Sequence, residues 1–345
     1  MKRIICLLMT VLMCFGLFSC AKALPDDVVL SFKSTQVDDG FFRSQVSAYK
    51  SSYVFNYMGL DKDSPAIWAA DSGEEGVTIG EGIINLSLAE CAAMAWIVEY
   101  AKSSGIVLDE EDRELINSDI EVLKEECGGE EEYQKFIKDL GFTNEDMIKN
   151  AEFSLLYEYG IEKLTGEGGV YEITDAEVDK YFEENYIAVK HVYVNNVAEL
   201  DENGNYVAIT DENKKKQDEK AAMLEEDLTS GVDFDLLYGL SEDQMAVSFP
   251  NGMIMGVGDV NSVIYEEAAL KLEMGEWVRV DVDDFGVYFI KRVEMPEDKI
   301  ASKKEDIRYI LRSDIQNEIW ETYQDKFVIN EKYIEDFDIN SIGIY

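Results

Sequence analysis

One histidine, His191, stands in this chain of 345 residues. Histidine is the side chain whose ordinary titration falls between pH 5 and 8, so any proton chemistry near neutrality would centre on it. It sits in Lys190-His191-Val192-Tyr193-Val194, which alternates as a strand does. Val189, His191 and Tyr193 then share one face, and Lys190, Val192 and Val194 the other. A single histidine without a CxxC pair cannot build a zinc or transition-metal site, so neither metal nor cofactor is expected. No nucleophile elbow, phosphate loop or dinucleotide fingerprint occurs. Asp201-Glu202-Asn203-Gly204-Asn205 imitates the start of a calcium loop, but Tyr206 stands where the sixth-position glycine belongs. The stretch reads as a hairpin turn. What is left for His191 is hydrogen bonding, either within a site or as a satisfied histidine propping a sheet. The residue alone leaves both open.

Further along come Ser230-Gly231-Val232-Asp233-Phe234, then Ser241-Glu242-Asp243, then Tyr265-Glu266-Glu267-Ala268-Ala269-Leu270 followed by Gly275-Glu276. The last of the series is Asp284-Phe285-Gly286-Val287-Tyr288-Phe289-Ile290, a turn into an apolar strand. This order and spacing resembles a parvulin-type peptidyl-prolyl isomerase domain. The pattern there is a histidine-bearing first strand, a Ser-Gly-x-x-Phe helix end, a Phe-Glu-x-Ala helix and a closing Phe-Gly-Tyr-His-Ile-Ile strand. Turning an X-Pro bond means crossing roughly 18–20 kcal/mol of amide resonance with no bond broken. Such a site holds proline in an apolar cup, excludes water and favours the twisted amide. The resemblance implies catalytic roles for His191, for Asp243 at the cysteine-or-aspartate position and for Tyr288, and a substrate cup containing Tyr265, Asn261, Phe285 and Val263. Three positions depart from it. Tyr288 stands where a second histidine belongs. Asn261 replaces the cup methionine, with Val260 or Val263 as substitutes. Asp283 replaces a common threonine. A phenol at 288 can still hydrogen-bond His191, but it cannot carry an imidazole's charge.

The elements around this module can be read in order. Val29-Leu30-Ser31-Phe32 has strand character. Phe42, Val46, Tyr49 and Tyr53 recur as one helical face. Ile83 to Ala101 is apolar nearly all round, but Asn85, Glu90 and Glu99 within it favour a buried central helix over a membrane span. Leu108-Asp109-Glu110-Glu111 and Thr143-Asn144-Glu145-Asp146 start further helices. A capping box at Thr174-Asp175-Ala176-Glu177 opens the module, and Lys214 to Leu228 forms a helix inside it. After Pro296, Lys303 to Phe327 carries Ile307, Ile310, Leu311, Ile315, Ile319 and Trp320 at helical spacing, and Phe327 to Asn330 suits a short strand.

At the start, Met1-Lys2-Arg3 precedes the apolar run Ile4 to Phe18, as in a secretory signal peptide. Leu17-Phe18-Ser19-Cys20 resembles a bacterial lipobox, which implies a diacylglyceryl anchor on Cys20. Cys6 and Cys14 leave with the signal, while Cys91 reads as buried and Cys127 as a helix end. With 72 acidic against 31 basic residues the formal charge is −41, a surface that repels nucleic acid and anionic lipid.

The expected fold is α+β: a mainly helical lobe built from the N- and C-terminal segments, plus a small β-α-β module with a four-stranded, mostly antiparallel sheet. The expected divisions are 1–19 signal peptide, 20–35 lipidated tether, 36–172 helical lobe, 173–296 parvulin-like module and 297–345 a helix returning to the lobe. This order of parts resembles PrsA-like foldase lipoproteins and SurA. It implies an extracytoplasmic, membrane-anchored foldase acting on unfolded exported polypeptides with X-Pro bonds. The departures at Asn261 and Tyr288 leave an isomerase-inactive holdase as the alternative, and an acidic surface-binding lipoprotein as a third reading.

Overall fold

The computed structural model describes residues 24–59, 63–200, 206–260, 262–283 and 285–344. The expectations for the signal peptide, Cys20, the turn 201–205 and Asn261 lie outside the described residues. Contacts divide the chain into two units: residues 175–308 form one, and the segments up to 174 and from 309 onward form the other.

The helical unit begins with strands β1 (Val28–Phe32) and β2 (Thr35–Asp38), paired antiparallel. The stretch expected as a tether therefore ends before residue 28. Every residue of β1 is buried, and apolar side chains such as Val29 and Leu30 gain far more inside the lobe than in a solvated linker. Asp38 caps α1 (Asp39–Ser51) by accepting from Phe41 N at 3.0 Å. The helix then widens into a π-helical stretch over Ser52–Tyr57. After the short α2 (Pro65–Trp68) come α3 (Ile79–Ser103), α4 (Glu110–Glu126), α5 (Glu130–Asp139) and α6 (Asn144–Thr165). Capping boxes start three of them: Thr78 with Glu81, Asp109 with Asp112, and Thr143 with Asp146.

α3 is the one described helix long and apolar enough to cross a membrane. It is instead the centre of the unit, with Cys91, Ala92, Ala95, Ile97, Val98 and Ala101 fully buried. Cys91 and Cys127 are both free thiols. α6 crosses α3 at Gly160, where an added Cβ would lie 2.8 Å from Ile97 Cγ2 and 2.9 Å from Ile97 O. Backbone cannot give way cheaply, so Gly160→Ala is expected to destabilise the unit by about 1–3 kcal/mol despite alanine's better helix propensity. Thermal unfolding checks this: an unchanged or raised midpoint would refute the close-crossing account.

The other unit opens with α7 (Asp175–Asn185), which runs straight into β3 (Tyr186–Val194). A small hairpin, β4 (Ala198–Leu200) with β5 (Tyr206–Ala208), precedes α8 (Asp211–Thr229). Then come α9 (Phe234–Tyr238), α10 (Met245–Ser248), β6 (Met253–Gly256), α11 (Val263–Leu270), β7 (Trp277–Val282) and β8 (Gly286–Val293). Four strands form one antiparallel sheet in the order β6-β3-β8-β7. Each face has its own core. Val192, Val194, Val287 and Phe289 meet α8 and α9 on one side, while Ile187, Val189, Ile290 and Tyr288 meet α11 on the other. That split is the period-two alternation of β3 and β8 made physical.

The long α12 (Glu297–Tyr323) starts directly after Pro296. Its start lies six residues before the expected Lys303, because Pro296 that ends the strand also opens the helix: Lys299 N donates to Pro296 O at 2.9 Å. From residue 309 the chain belongs to the helical unit. There β9 (Val328–Ile329) adds to β1, making the order β2-β1-β9. α13 (Glu331–Asp336) follows, and Phe337, Ile339 and Ile342 pack into the core around Phe42.

Candidate active site

His191 lies in the middle of β3, opposite Ile290 of β8, and is 8% exposed. Both ring nitrogens are engaged. Nδ1 is 2.7 Å from Tyr265 Oη, and Nε2 is 2.6 Å from Asp243 Oδ2. Tyr288 meets the imidazole edge-on, with ring centroids 5.2 Å apart at 90°, and meets Tyr265 in the same manner at 5.3 Å. Three rings and a carboxylate therefore form one array, with His191 and Tyr265 buried and Tyr288 and Asp243 half-buried.

Each member is placed by local chemistry. Asp243 sits in the Ser241-Glu242-Asp243 loop, which is fastened to the end of β3. Glu242 N donates to Tyr193 O at 3.0 Å, and Tyr193 N donates to Ser241 Oγ at 2.9 Å. The Glu242 carboxylate accepts from Asn195 N at 2.7 Å and pairs with Lys220 at 2.7 Å. Ser241 Oγ and Met245 N both donate to Asp243 Oδ1, at 2.7 and 3.0 Å. Tyr265 is positioned by α11, whose Ser262 cap accepts from Tyr265 N at 3.2 Å, and by its seat beside Ala269, Met255 and Ile290.

Burial raises the Asp243 carboxyl, but the hydrogen bonds from His191 and Ser241, with His191 charge and Met245 N, outweigh it and hold the group below the ordinary aspartate range. Asp243 is thus ionised at neutral pH and can only accept, so Nε2 must carry a proton. Burial pushes the Tyr265 phenol far up, with smaller contributions from Tyr288 and Asp243, so Tyr265 stays protonated. In the neutral imidazole Tyr265 Oη–H then donates to Nδ1, and the order of bonds is Tyr265 to His191 to Asp243. Tyr288 is raised to about 12, chiefly by burial and then by Tyr193 and Asp243.

The lowered Asp243 value has a consequence for acid stability. A carboxyl that binds protons less readily when folded contributes fully above its unfolded value of about 3.9. That contribution is lost as pH falls through the lower folded value. Asp243→Asn should therefore flatten the fall in stability below about pH 4 while lowering stability at neutral pH. Denaturant midpoints across pH 2–7 check it: an acid limb as steep in the variant as in the parent would remove Asp243 from this role.

The structure brings His191, Asp243, Tyr265 and Tyr288 together, with one exchange of roles. The phenol bonded to His191 is Tyr265, which the resemblance assigned to the cup, whereas Tyr288, expected to make that bond, packs edge-on. Tyr265 is 4% exposed, with its hydroxyl turned to His191. Phe285 is half-exposed at the β7–β8 turn, and its carbonyl accepts from Tyr193 Oη at 2.6 Å. Val263 does not join the array: it is 66% exposed on the outer side of α11. Of the two substitutes for the cup methionine, Val260 packs on the α11 core and Val263 does not. Ser241 and Tyr193 are members that sequence reading missed as site residues. Ser241 in the tripeptide with Asp243, and Tyr193 two residues from His191 on the same face, were the available signals. Among the described residues no group of three or more His, Cys, Asp or Glu side chains could hold a metal ion.

No family model matches the chain, and no curated protein matches it. Among solved structures it is similar to a peptidylprolyl isomerase, PrsA, of Bacillus cereus, at 20% identity over 76% of this chain and 88% of that one, with a TM-score of 0.30. A foldase protein PrsA of Streptococcus pneumoniae matches at 16% identity over 89% and 90%, with a TM-score of 0.33. SurA-like chaperones of Campylobacter jejuni match at 11% identity over 88% and 98%, with a TM-score of 0.26.

Proposed function

We propose that this chain is an extracytoplasmic foldase, held at the membrane through a lipid on Cys20, whose helical unit cradles unfolded exported polypeptides while the sheet module turns their X-Pro bonds. The observation that carries the proposal is the hydrogen-bonded Tyr265–His191–Asp243 array with Tyr288 edge-on against it. It contains neither an activated nucleophile nor a metal-ligand set. Such an array suits a reaction in which no bond breaks and the work is positioning and polarity. Asp243 fixes Nε2–H, Tyr265 fixes the other side of the ring, and the half-buried rings of Tyr193 and Tyr288, packed on each other with centroids 4.8 Å apart, leave their outer sides as an apolar surface for a prolyl ring. The test is a protease-coupled assay on short X-Pro peptides, run beside suppression of aggregation of a reduced, unfolded client. Acceleration of the slow phase, uncatalysed at tens to hundreds of seconds, supports the isomerase. No acceleration at any protein concentration sinks it. Fractionation of cells expressing Cys20→Ala tests the anchor: the variant should leave the membrane.

A holdase without isomerase activity is the second reading. The observation favouring it is that both nitrogens of His191 are satisfied internally and that His191 and Tyr265 are buried, as in a purely architectural array. Aggregation suppression without any isomerase rate would select it.

A further inference from the structure

β7 is an edge strand of the module's sheet, bonded to β8 on one side only. Arg292 N donates to Glu276 O at 3.0 Å, and alternation from that bond turns the N–H and C=O of Val278, Val280 and Val282 toward β8. Those of Trp277, Arg279 and Asp281 turn outward, and among the described residues no backbone partner faces them. Directly beside this edge, on the α11 side, lies an open groove of about 470 Å³. Its walls are Val278 of β7, Leu272, and the outward side of α11, including Ile264 and Ala268. Ile264 is 55% exposed, an unusual place for an aliphatic side chain on a helix whose other side already fills a core. The groove is distinct from the histidine array, because Tyr265 and Ala269 occupy the opposite side of α11.

We propose that β7 and this groove form a strand-addition site for an extended, apolar, cationic polypeptide segment. The open row of backbone donors and acceptors fits an incoming strand. A strand paired with β7 points alternate side chains to the α11 side, where the groove lies, and the others away from it. The charge along the edge and the groove selects the sign of the partner: Glu267, Glu276, Asp281 and Asp283 stand against Lys271 and Arg279, four acids to two bases. Arg279 is itself held by Glu225 at 2.6 Å and Asp281 at 2.9 Å. Charged side chains on an edge also discourage pairing between copies of an acidic chain, so the same residues that admit a basic segment turn away a second copy. That the natural occupant is part of an unfolded exported chain rests on the proposed function; the site itself does not.

The experiment uses the purified protein and a blocked, fluorescein-labelled nine-residue peptide alternating valine and lysine. Saturable binding is expected, with slowed amide exchange at Trp277, Arg279 and Asp281. Methylating alternate backbone nitrogens of the peptide should weaken binding at least tenfold, as should replacing its lysines by glutamate. Ile264→Lys should do the same while leaving the isomerase rate on a short X-Pro peptide unchanged, which separates failure here from failure of the histidine site. Absent saturation, indifference to backbone methylation, or protection of the edge in a peptide-free dimer would each overturn the proposal. The methylated-peptide comparison uses the parent protein, so it decides the matter even if Ile264→Lys fails to fold.

Discussion

His191→Ala should lower the unfolding free energy of the module by about 2–4 kcal/mol and abolish any acceleration of X-Pro isomerisation. The imidazole bridges two partners that lie on opposite sides of its ring. Without it the Tyr265 phenol, on a residue 4% exposed, loses its Nδ1 partner, and a buried group left unpaired costs about 1–3 kcal/mol. Asp243 keeps Ser241 Oγ and Met245 N and is about one-third exposed, so it regains water at lower cost. Tyr265→Phe separates scaffold from chemistry. It keeps the ring, its edge-on packing against His191 and Tyr288, and nearly all the buried area, and loses only the Nδ1 bond, at about 1 kcal/mol. If the imidazole acts through its fixed orientation, Tyr265→Phe lowers the isomerase rate more than its small loss of stability would explain. If the array is only architecture, rate and stability fall together, or no rate exists to fall. Denaturant titration with the protease-coupled assay on the same preparations reads both. A fully active and folded His191→Ala protein would end the catalytic role.

The module was legible in the sequence because its information is local. Alternation in Lys190–Val194 assigned the faces of β3 correctly: Val192 and Val194 went to one core and Val189 to the other, on the side where His191 meets Tyr265. The helix starts at Thr78, Asp109 and Thr143 form capping boxes, and two of these starts are visible as a polar cap followed by acids. What escaped was non-local or depended on depth. An aromatic at 265 reads as a cup wall or a strut until its hydroxyl is seen to reach Nδ1, since sequence gives residue type but not which group arrives first. The pairing of β1 with β9 joins residues some 300 positions apart, and no local pattern in Val28–Phe32 names its partner. The closing residues, from Phe337 onward, carry only scattered apolar positions, so their burial against α1 could not be read from periodicity.

That closing segment carries the second large effect, through Lys50. The last turn of α1 places Lys50 fully out of water. Its ammonium pairs with Asp63 at 2.7 Å, donates to Ile339 O at 3.0 Å and to Ile342 O, and lies 5.0 Å from the centroid of the Trp68 ring. An ammonium has three protons to give, and here one carboxylate and two carbonyls take them, so a costly buried charge is matched in number. Ser47 Oγ donates to Gly343 O at 2.8 Å beside it, so α1 holds the final stretch of chain by its carbonyls as well as by the apolar seats of Ile339 and Ile342. Lys50→Ala strips the carbonyls of their donor and leaves Asp63 without its cation. Breaking the pair from one side costs about 3 kcal/mol, the lower end for a buried pair, because the Asp63 side chain is 23% exposed; that is equivalent to about 10 °C in the midpoint of a unit this size. The loss should be focused at the chain end, with faster amide exchange over 337–343 and earlier proteolytic release of that segment, and with the module's own unfolding unaltered. Lys50→Met, which refills the volume without the charge, should recover part of the midpoint but not the protection at 339–342, because packing is restored and the donors are not. Equal protection of the tail in parent and alanine variant would show that its apolar contacts alone hold it.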